Sequence, residues 1–181
     1  MLPRVRRREG GTPAVVPPDR DEGHTGPMAT PYTVVRSTTI DAPPETVHAL
    51  VRDFHHWERW SPWEDIDPEM TRTYSGPDAG VGAHYAWEGN RKAGKGSMTI
   101  TGDRPEQVDI DLHFDKPFKA QNRIELVLTP MGERSTAVEW RLTGELSGLT
   151  KLFSLVKSMD SLVGPDFEKG LSRLKRVAEA A

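Results

Sequence analysis

The chain has 181 residues, a length that suits one domain with a sizeable core and leaves little room for two. Its 24 basic and 27 acidic residues give a formal net charge of −3, which favours neither nucleic-acid binding nor acidic disorder. The absence of cysteine excludes disulfides and thiolate chemistry and fits the cytoplasmic location that we expect. No apolar run approaches the roughly 20 residues that a membrane helix needs.

Residues 1–31 differ in composition from the rest of the chain. Four arginines lie within the first eight positions, and five prolines follow between Pro13 and Pro31. A secretory leader would continue with about 7–15 apolar residues, whereas this sequence continues with Glu9-Gly10-Gly11. We predict a disordered tail over 1–31, with a nucleic-acid-binding arm as the alternative, and a single domain over 32–181.

The domain begins with a strand and a short helix. Residues 32–40 are rich in β-branched side chains, which predicts a strand. Pro43 and Pro44 then fit the first turn of a helix. The apolar residues of that helix recur at i, i+3, i+4 and i+7: Val47, Leu50, Val51 and Phe54.

The middle of the chain alternates between apolar and polar residues, a period of two that predicts consecutive strands. Because the connections are short, we expect these strands to pair antiparallel. The predicted inward-facing residues are Val81, Ala83, Tyr85, Trp87, Met98, Ile100, Val108, Ile110, Leu112, Phe114, Ile124, Leu126, Leu128, Val138, Trp140 and Leu142. Asp109, Asp111 and Asp115 alternate with this face, so we expect them to point to solvent.

A long amphipathic helix closes the chain. Its apolar stripe runs over about thirty residues, from Leu149 through Phe153 and Val156 to Ala178. Pro165 lies within this stripe without breaking its phase, which favours a kinked helix over two helices. The kink is either a hinge that gates access to the interior or a bend that follows the sheet.

This order of elements predicts an α+β helix-grip fold, in which a twisted antiparallel sheet wraps around the C-terminal helix. The apolar face of the sheet must be covered, and only the last helix is long enough to cover it. Gaps between the sheet and the helix are places where apolar ligands bind.

Three stretches of the sequence resemble the START-like (SRPBCC) superfamily of the polyketide cyclase type, including a bacterial branch of it. They are residues 40–63 with Trp57-x-x-Trp60-Ser61-Pro62-Trp63, residues 80–89 and residues 164–171. The resemblance covers residues 32–179 and implies a helix-grip with a cavity for lipids, polyketides or hormones. Some members are cyclases and many only bind and carry. Pro165 departs from the family pattern, which has a polar residue there.

The other motifs indicate structural roles. Gly89-x-x-x-x-Gly94-Lys95 begins like a phosphate loop but continues with Gly96 between two strands, which indicates a hairpin turn. The six histidines lack the spacing of metal ligands, and no Gly-x-Ser-x-Gly motif is present. We therefore predict no metal and no cofactor.

The best acid–base candidates are His84, Glu88 and His113, since they lie on predicted strands. If Tyr85 and Trp87 face the cavity, His84 and Glu88 face water, and we favour this arrangement because it buries the larger aromatic rings. The alternative is a polar pocket floor, with His84 or His113 as base and Tyr85 as proton donor.

Trp57, Trp60 and Trp63 either form a lid at the cavity mouth or pack the short helices against the sheet. We predict that the protein binds or carries a small apolar molecule, and its alternatives are a cyclase or dehydratase and a protein-interaction module. The predicted ligand-binding residues are Trp63, Tyr85, Trp87, Met98, Ile100, Leu112, Phe114, Trp140, Leu142, Phe153 and Val156. No catalytic residue is required by the main hypothesis, and no nucleic-acid or integral membrane partner is expected.

Overall fold

A computed structural model describes residues 30–146 and 158–181 of the chain. Seven strands form one antiparallel sheet in the order β1-β7-β6-β5-β4-β3-β2. The strands are β1 (Thr30–Ile40), β2 (Thr71–Ser75), β3 (His84–Glu88), β4 (Lys95–Arg104), β5 (Gln107–Lys116), β6 (Ala120–Pro130) and β7 (Thr136–Leu146). The sheet and the C-terminal helix confirm the predicted α+β helix-grip fold.

Two short helices connect β1 to β2. Helix α1 (Pro44–Val51) begins at a proline, as predicted, because the first turn needs no backbone donor at that position. A 3-10 helix over Phe54–Arg59 follows, and the Asp53 carboxylate caps it by accepting a 2.8 Å hydrogen bond from the His55 backbone N–H. Both helices bury their apolar residues against the sheet.

The C-terminal helix α2 (Met159–Glu179) is shorter than predicted. Ser158 has an extended backbone, and its hydroxyl accepts a hydrogen bond from the Ser161 N–H, so the helix begins at Met159. The prediction of one unbroken helix through Ser158 is therefore wrong. Leu149, Phe153 and Val156 lie outside the described residues.

Pro165 lies within α2, as predicted, and is exposed. Helix α2 contacts Arg36 of β1 on both sides of this residue in the chain. The Arg36 guanidinium donates to Asp160 at 2.7 Å and to Glu168 at 2.7 Å, which lie on either side of the proline. Arg36 thus ties both parts of the helix to the edge strand.

The start of the domain and of β3 also differ from the predictions. Strand β1 begins at Thr30, so the last two residues of the predicted tail are already paired with β7, and 1–29 lie outside the described residues. Strand β3 begins at His84, and Val81 is 60% exposed in the preceding turn. Strand β2 was not predicted, because Thr71–Ser75 is an edge strand without an apolar alternation.

Asp109 corrects the prediction of a solvent-facing acidic surface. Its side chain is buried and accepts hydrogen bonds from Gln107 at 2.7 Å, Arg123 at 3.1 Å and Arg104 at 3.2 Å. The register of β4 against β5 shifts opposite this residue, which lets neighbouring side chains close over it. Asp111 and Asp115 are exposed, as predicted.

Candidate functional site

A cavity of about 270 Å³ lies between the sheet, helix α2 and the segment that follows the 3-10 helix. Its wall is mostly apolar and includes seven of the predicted ligand-binding residues: Trp63, Tyr85, Trp87, Met98, Leu112, Phe114 and Leu142. From α2, the wall receives Met159, Val163 and Phe167, which recur every four residues and so share one face of the helix.

The remaining predicted residues lie elsewhere. Ile100 and Trp140 are fully buried in the core and are not among the described residues that line the cavity. The Trp140 ring stacks on Phe167 at 4.2 Å between ring centroids, so it supports the cavity wall from behind. Phe153 and Val156 lie outside the described residues.

One row of side chains crosses the sheet beneath the cavity. Direct cross-strand pairing joins six residues on six neighbouring strands, which we call the tyrosine row: Tyr85, Met98, Leu112, Asn122, Gly144 and Tyr32. Directly paired residues project from the same face of a sheet. The row is apolar in its middle and polar towards both ends.

At the β3 end of the row, three polar side chains form a buried cluster. The Tyr85 hydroxyl donates to Glu64 Oε1 at 3.1 Å, and Arg72 Nε donates to Glu64 Oε2 at 2.7 Å. The Glu64 side chain is 8% exposed, so Arg72 compensates a carboxylate that is almost fully removed from water. Glu64 and Tyr85 both line the cavity.

Burial raises the pKa of the Tyr85 hydroxyl far above its usual value, and the negative charge of Glu64 raises it further. The pKa of the neighbouring Tyr74 is raised by burial and by the hydrogen bond that its hydroxyl donates to Glu58 at 3.0 Å. Tyr85 therefore keeps its proton at neutral pH and acts as a hydrogen-bond donor.

At the β1 end of the row, the Tyr32 hydroxyl donates to Asn122 Oδ1. Burial raises the pKa of Tyr32, so this hydroxyl also stays protonated. Residue 144 must be glycine here, because a Cβ atom at that position would overlap both Asn122 Oδ1 and the Tyr32 ring. Tyr32 and Asn122 both line the cavity.

Sequence reasoning missed these polar residues. Glu64 lies in the irregular segment after Ser61-Pro62, where periodicity does not predict which way a side chain points. Tyr32 was assigned only to a strand. Asn122 carried a usable signal, since it continues the alternation of Ile124, Leu126 and Leu128 and so takes an inward position on β6. A polar residue at an inward position of a strand marks a candidate site.

The predicted acid–base residues lie outside the cavity. His84 projects from the opposite face to Tyr85, and its Nδ1 lies 2.8 Å from the Thr99 hydroxyl. Glu88 is exposed and accepts a hydrogen bond from Lys95 at 2.9 Å, and this hydrogen bond and the charge of Lys95 lower the pKa of Glu88. His113 alternates with Leu112 and Phe114, so it also faces away. Tyr85 and Trp87 face the cavity, which is the arrangement that we favoured from the sequence.

The tryptophan cluster divides between the two predicted roles. Trp57 and Trp60 are fully buried, and their indole N–H groups donate to backbone carbonyls of Val51 and Leu50 in α1. They therefore pack the short helices. Trp63 lines the cavity and donates to Asp166 of α2 at 3.2 Å, so it connects the segment after the 3-10 helix to the C-terminal helix.

Within 30–146 and 158–181, no group of three or more histidine or acidic residues is placed to hold a metal ion. In the same ranges, no helix is long and apolar enough to cross a bilayer. The loop from Gly89 to Gly94 connects β3 to β4 as a hairpin turn, as predicted, in which the Gly89 N–H donates to the Gly94 carbonyl and the Gly94 N–H to the Asn90 carbonyl.

The sheet, the long C-terminal helix packed on it and the cavity between them define a START-like helix-grip domain. The chain belongs to the family described as polyketide cyclase / dehydrase and lipid transport, whose model matches residues 31–179. This confirms the superfamily that residues 32–179 resemble.

Solved structures of the same fold share little sequence with this chain. A START superfamily protein from Mycobacterium smegmatis is 18% identical with a TM-score of 0.54, covering 82% of this chain and 97% of that one. A protein from Thermobifida fusca is 22% identical with a TM-score of 0.60, covering 82% and 93%. Norcoclaurine synthase from Thalictrum flavum, in complex with dopamine and hydroxybenzaldehyde, is 9% identical with a TM-score of 0.62, covering 82% and 87%. Among curated proteins, none matches the chain.

Proposed function

We propose that this protein binds and carries a small, mainly apolar molecule in the cavity between the sheet and α2. The observation that carries the proposal is the cavity itself, of about 270 Å³ and walled by aromatic and aliphatic side chains. Protein interiors are close-packed, and voids much larger than a water molecule are few. An apolar cavity with a few polar groups at its ends is the usual form of a ligand site.

The size of the cavity limits the ligand. Pockets for drug-sized molecules measure about 300–1,000 Å³, so this cavity suits a ligand at or below the lower end of that range. Such a volume favours a compact ring system of polyketide type over a lipid with long acyl chains. A bicyclic aromatic molecule buries about 200 Å², which at roughly 25 cal/mol per Å² contributes about 5 kcal/mol before the costs of association.

Two measurements test the proposal. Native mass spectrometry of freshly purified protein should show a co-purifying small molecule. Equilibrium dialysis with 2-ethylnaphthalene should show saturable binding that Leu112→Trp abolishes, because the indole fills the cavity from its floor. Asp111→Trp is the matched control, since the neighbouring side chain is exposed on the other face. Saturable binding that survives Leu112→Trp in a folded protein would place the ligand elsewhere and contradict the proposal.

A cyclase- or dehydratase-like enzyme is the second candidate, and the Tyr85–Glu64 pair favours it. A carboxylate and a protonated hydroxyl, 3.1 Å apart on an apolar cavity wall, are suited to take a proton from carbon and to donate one to a carbonyl oxygen. The solved norcoclaurine synthase of the same fold was crystallised with an amine and an aldehyde, dopamine and hydroxybenzaldehyde. Glu64 replaces the predicted bases His84 and His113, which lie outside the cavity.

Proton exchange tests this second function without an identified substrate. In D₂O, the protein should accelerate deuterium incorporation next to the carbonyl of 4-phenylbutan-2-one, as followed by NMR. Glu64→Gln should remove the acceleration, whereas Glu58→Gln should retain it, because Glu58 contacts Tyr74 and does not line the cavity. Equal exchange with and without the protein would leave binding and carriage as the function.

A further inference from the structure

The cavity carries hydrogen-bonding groups at two separated places. Tyr85 on β3 and Asn122 on β6 belong to the tyrosine row and are three strands apart, with Met98 and Leu112 between them. Neighbouring strands lie about 4.8 Å apart, so the backbones at the two places are roughly 14 Å apart along the sheet. Only an elongated molecule can reach both places, and its middle must be apolar.

The first place accepts hydrogen bonds. Among the residues of 30–146 and 158–181, each oxygen of the Glu64 carboxylate has one partner, Tyr85 on Oε1 and Arg72 on Oε2. A carboxylate offers about four acceptor positions, so acceptor capacity remains on the cavity wall. Because Arg72 already compensates the charge, the ligand group does not need to be a cation. A neutral hydroxyl fits this place, and a carbonyl oxygen would be repelled by it.

The second place donates hydrogen bonds. Asn122 is nine-tenths buried, and its Oδ1 is occupied by the Tyr32 hydroxyl. No residue in the described part of the chain accepts a hydrogen bond from Asn122 Nδ2. Asn122 lines the cavity, so a carbonyl oxygen of a bound ligand would accept a hydrogen bond from this amide.

We propose that the ligand is a neutral, elongated ring compound with a hydroxyl at one end and a carbonyl at the other. The hydroxyl donates to Glu64, the carbonyl accepts from Asn122, and the rings lie over Met98 and Leu112. This inference rests on the proposed function, because it specifies which molecule the apolar cavity selects. It gives Glu64 and Asn122 the role of specificity-determining residues.

A matched series of four naphthalenes tests the proposal. The series consists of 6-hydroxy-2-acetonaphthone, 2-acetonaphthone, 6-ethyl-2-naphthol and 2-ethylnaphthalene, which carry both groups, the carbonyl, the hydroxyl or neither. Dissociation constants are measured by equilibrium dialysis near neutral pH, where a phenol keeps its proton. We expect the compound with both groups to bind most tightly, and removal of either group to weaken binding about 3- to 10-fold.

Substitutions then assign each group to its place. Glu64→Gln should remove the advantage of the hydroxyl and leave that of the carbonyl, whereas Asn122→Leu should do the reverse. The controls are Glu58→Gln and Gln121→Leu, whose side chains do not line the cavity, and they should leave both advantages unchanged. Each advantage is a ratio of two dissociation constants within one protein, so a general loss of stability cancels.

The outcomes separate this inference from the proposed function. If the four compounds bind the unsubstituted protein equally, or if 2-ethylnaphthalene binds best, the inference is overturned and an apolar binding function stands. If none of the four binds, the proposed function fails and the ligand class fails with it. The ranking in the unsubstituted protein needs no variant, so a variant that does not fold leaves this test decisive.

Discussion

Two rows of side chains on the same face of the sheet, one step apart along the strands, have different surroundings. The tyrosine row borders the cavity. The next row, which we call the isoleucine row, consists of Ile100, Ile110, Ile124, Leu142 and Val34, joined by direct pairing across β4, β5, β6, β7 and β1. Every member of it is at most 4% exposed. Ile124 and Leu142 still reach the edge of the cavity, whereas Ile100, Ile110 and Val34 do not line it.

The difference comes from what covers each row. Beyond the isoleucine row, the ring of Trp60, directly after the 3-10 helix, and the ring of Phe167 in α2 meet Trp140 of the sheet. The Trp60 and Trp140 centroids are 5.5 Å apart, and Phe167 is stacked on Trp140. Over the tyrosine row, the covering residues leave a cavity of about 270 Å³. The same strands therefore support a closed core and an open site, and the covering elements decide between them.

Truncation of one residue in each row should give the largest effects and should separate stability from binding. Ile110→Ala should lower the free energy of unfolding by about 3–5 kcal/mol, because it opens a void in packed surroundings. Leu112→Ala should cost only about 2 kcal/mol, since one side of Leu112 already faces the cavity. Urea unfolding measures both.

Ligand affinity should respond in the opposite order, with the larger effect from the substitution of Leu112. Leu112→Ala should change the affinity for 2-ethylnaphthalene, whereas Ile110→Ala should leave it nearly unchanged. Asp111→Ala, on the exposed face, is the control and should stay within about 0.5 kcal/mol of the unsubstituted protein. Equal effects of the two truncations on stability and on binding would mean that the rows do not differ as described.

Within the packed region, two fully buried tryptophans differ in one hydrogen bond. Trp57 Nε1 donates to the Val51 carbonyl at 3.1 Å, while Trp140 Nε1 has no partner among the described residues. Replacement by phenylalanine removes similar volume from both sites. Trp57→Phe should therefore cost about 1 kcal/mol more than Trp140→Phe, since it also leaves the Val51 carbonyl without this donor. Chemical denaturation measures the difference, and equal costs would show that Trp140 Nε1 is bonded in solution.

A methyl group at position 144 should disturb the polar end of the tyrosine row. Gly144→Ala should cost about 1–3 kcal/mol, because the added Cβ displaces Asn122 and Tyr32. It should also weaken any preference for a ligand carbonyl. The control is Thr143→Ala, which lies next to it in β7 on the other face of the sheet. A neutral Gly144→Ala would show that the row is less tightly packed at this end.

The smallest expected effect concerns Pro165. If the proline acts as a hinge, Pro165→Ala should slow ligand entry and exit together and leave the equilibrium affinity nearly unchanged. Stopped-flow binding of an apolar fluorescent probe measures both rates. Unchanged rates would show that the proline only accommodates a bend, consistent with Arg36 holding Asp160 and Glu168 on both sides of it.

The fold could be predicted from the sequence, because periodicity sets which side of an element faces the core. The alternation along β5 placed Ile110 and Leu112 on one face, and the structure keeps them there. The same rule placed Tyr85 on the cavity side and His84 on the other. Six of the seven predicted ligand-binding residues that line the cavity lie on strands, where the alternation of facing is a local pattern.

Which inward residues meet the cavity and which pack behind it could not be predicted from periodicity. Ile100 and Leu112 follow the same alternation, and they differ through the elements that cover them. Glu64 contacts Tyr85 and Arg72 across 21 and 8 residues of chain from a segment without periodicity. Tyr32 and Asn122 meet across 90 residues through the pairing of three strands. Such contacts depend on strand register and on loop conformation, which are set by the whole fold and leave no local pattern in the sequence.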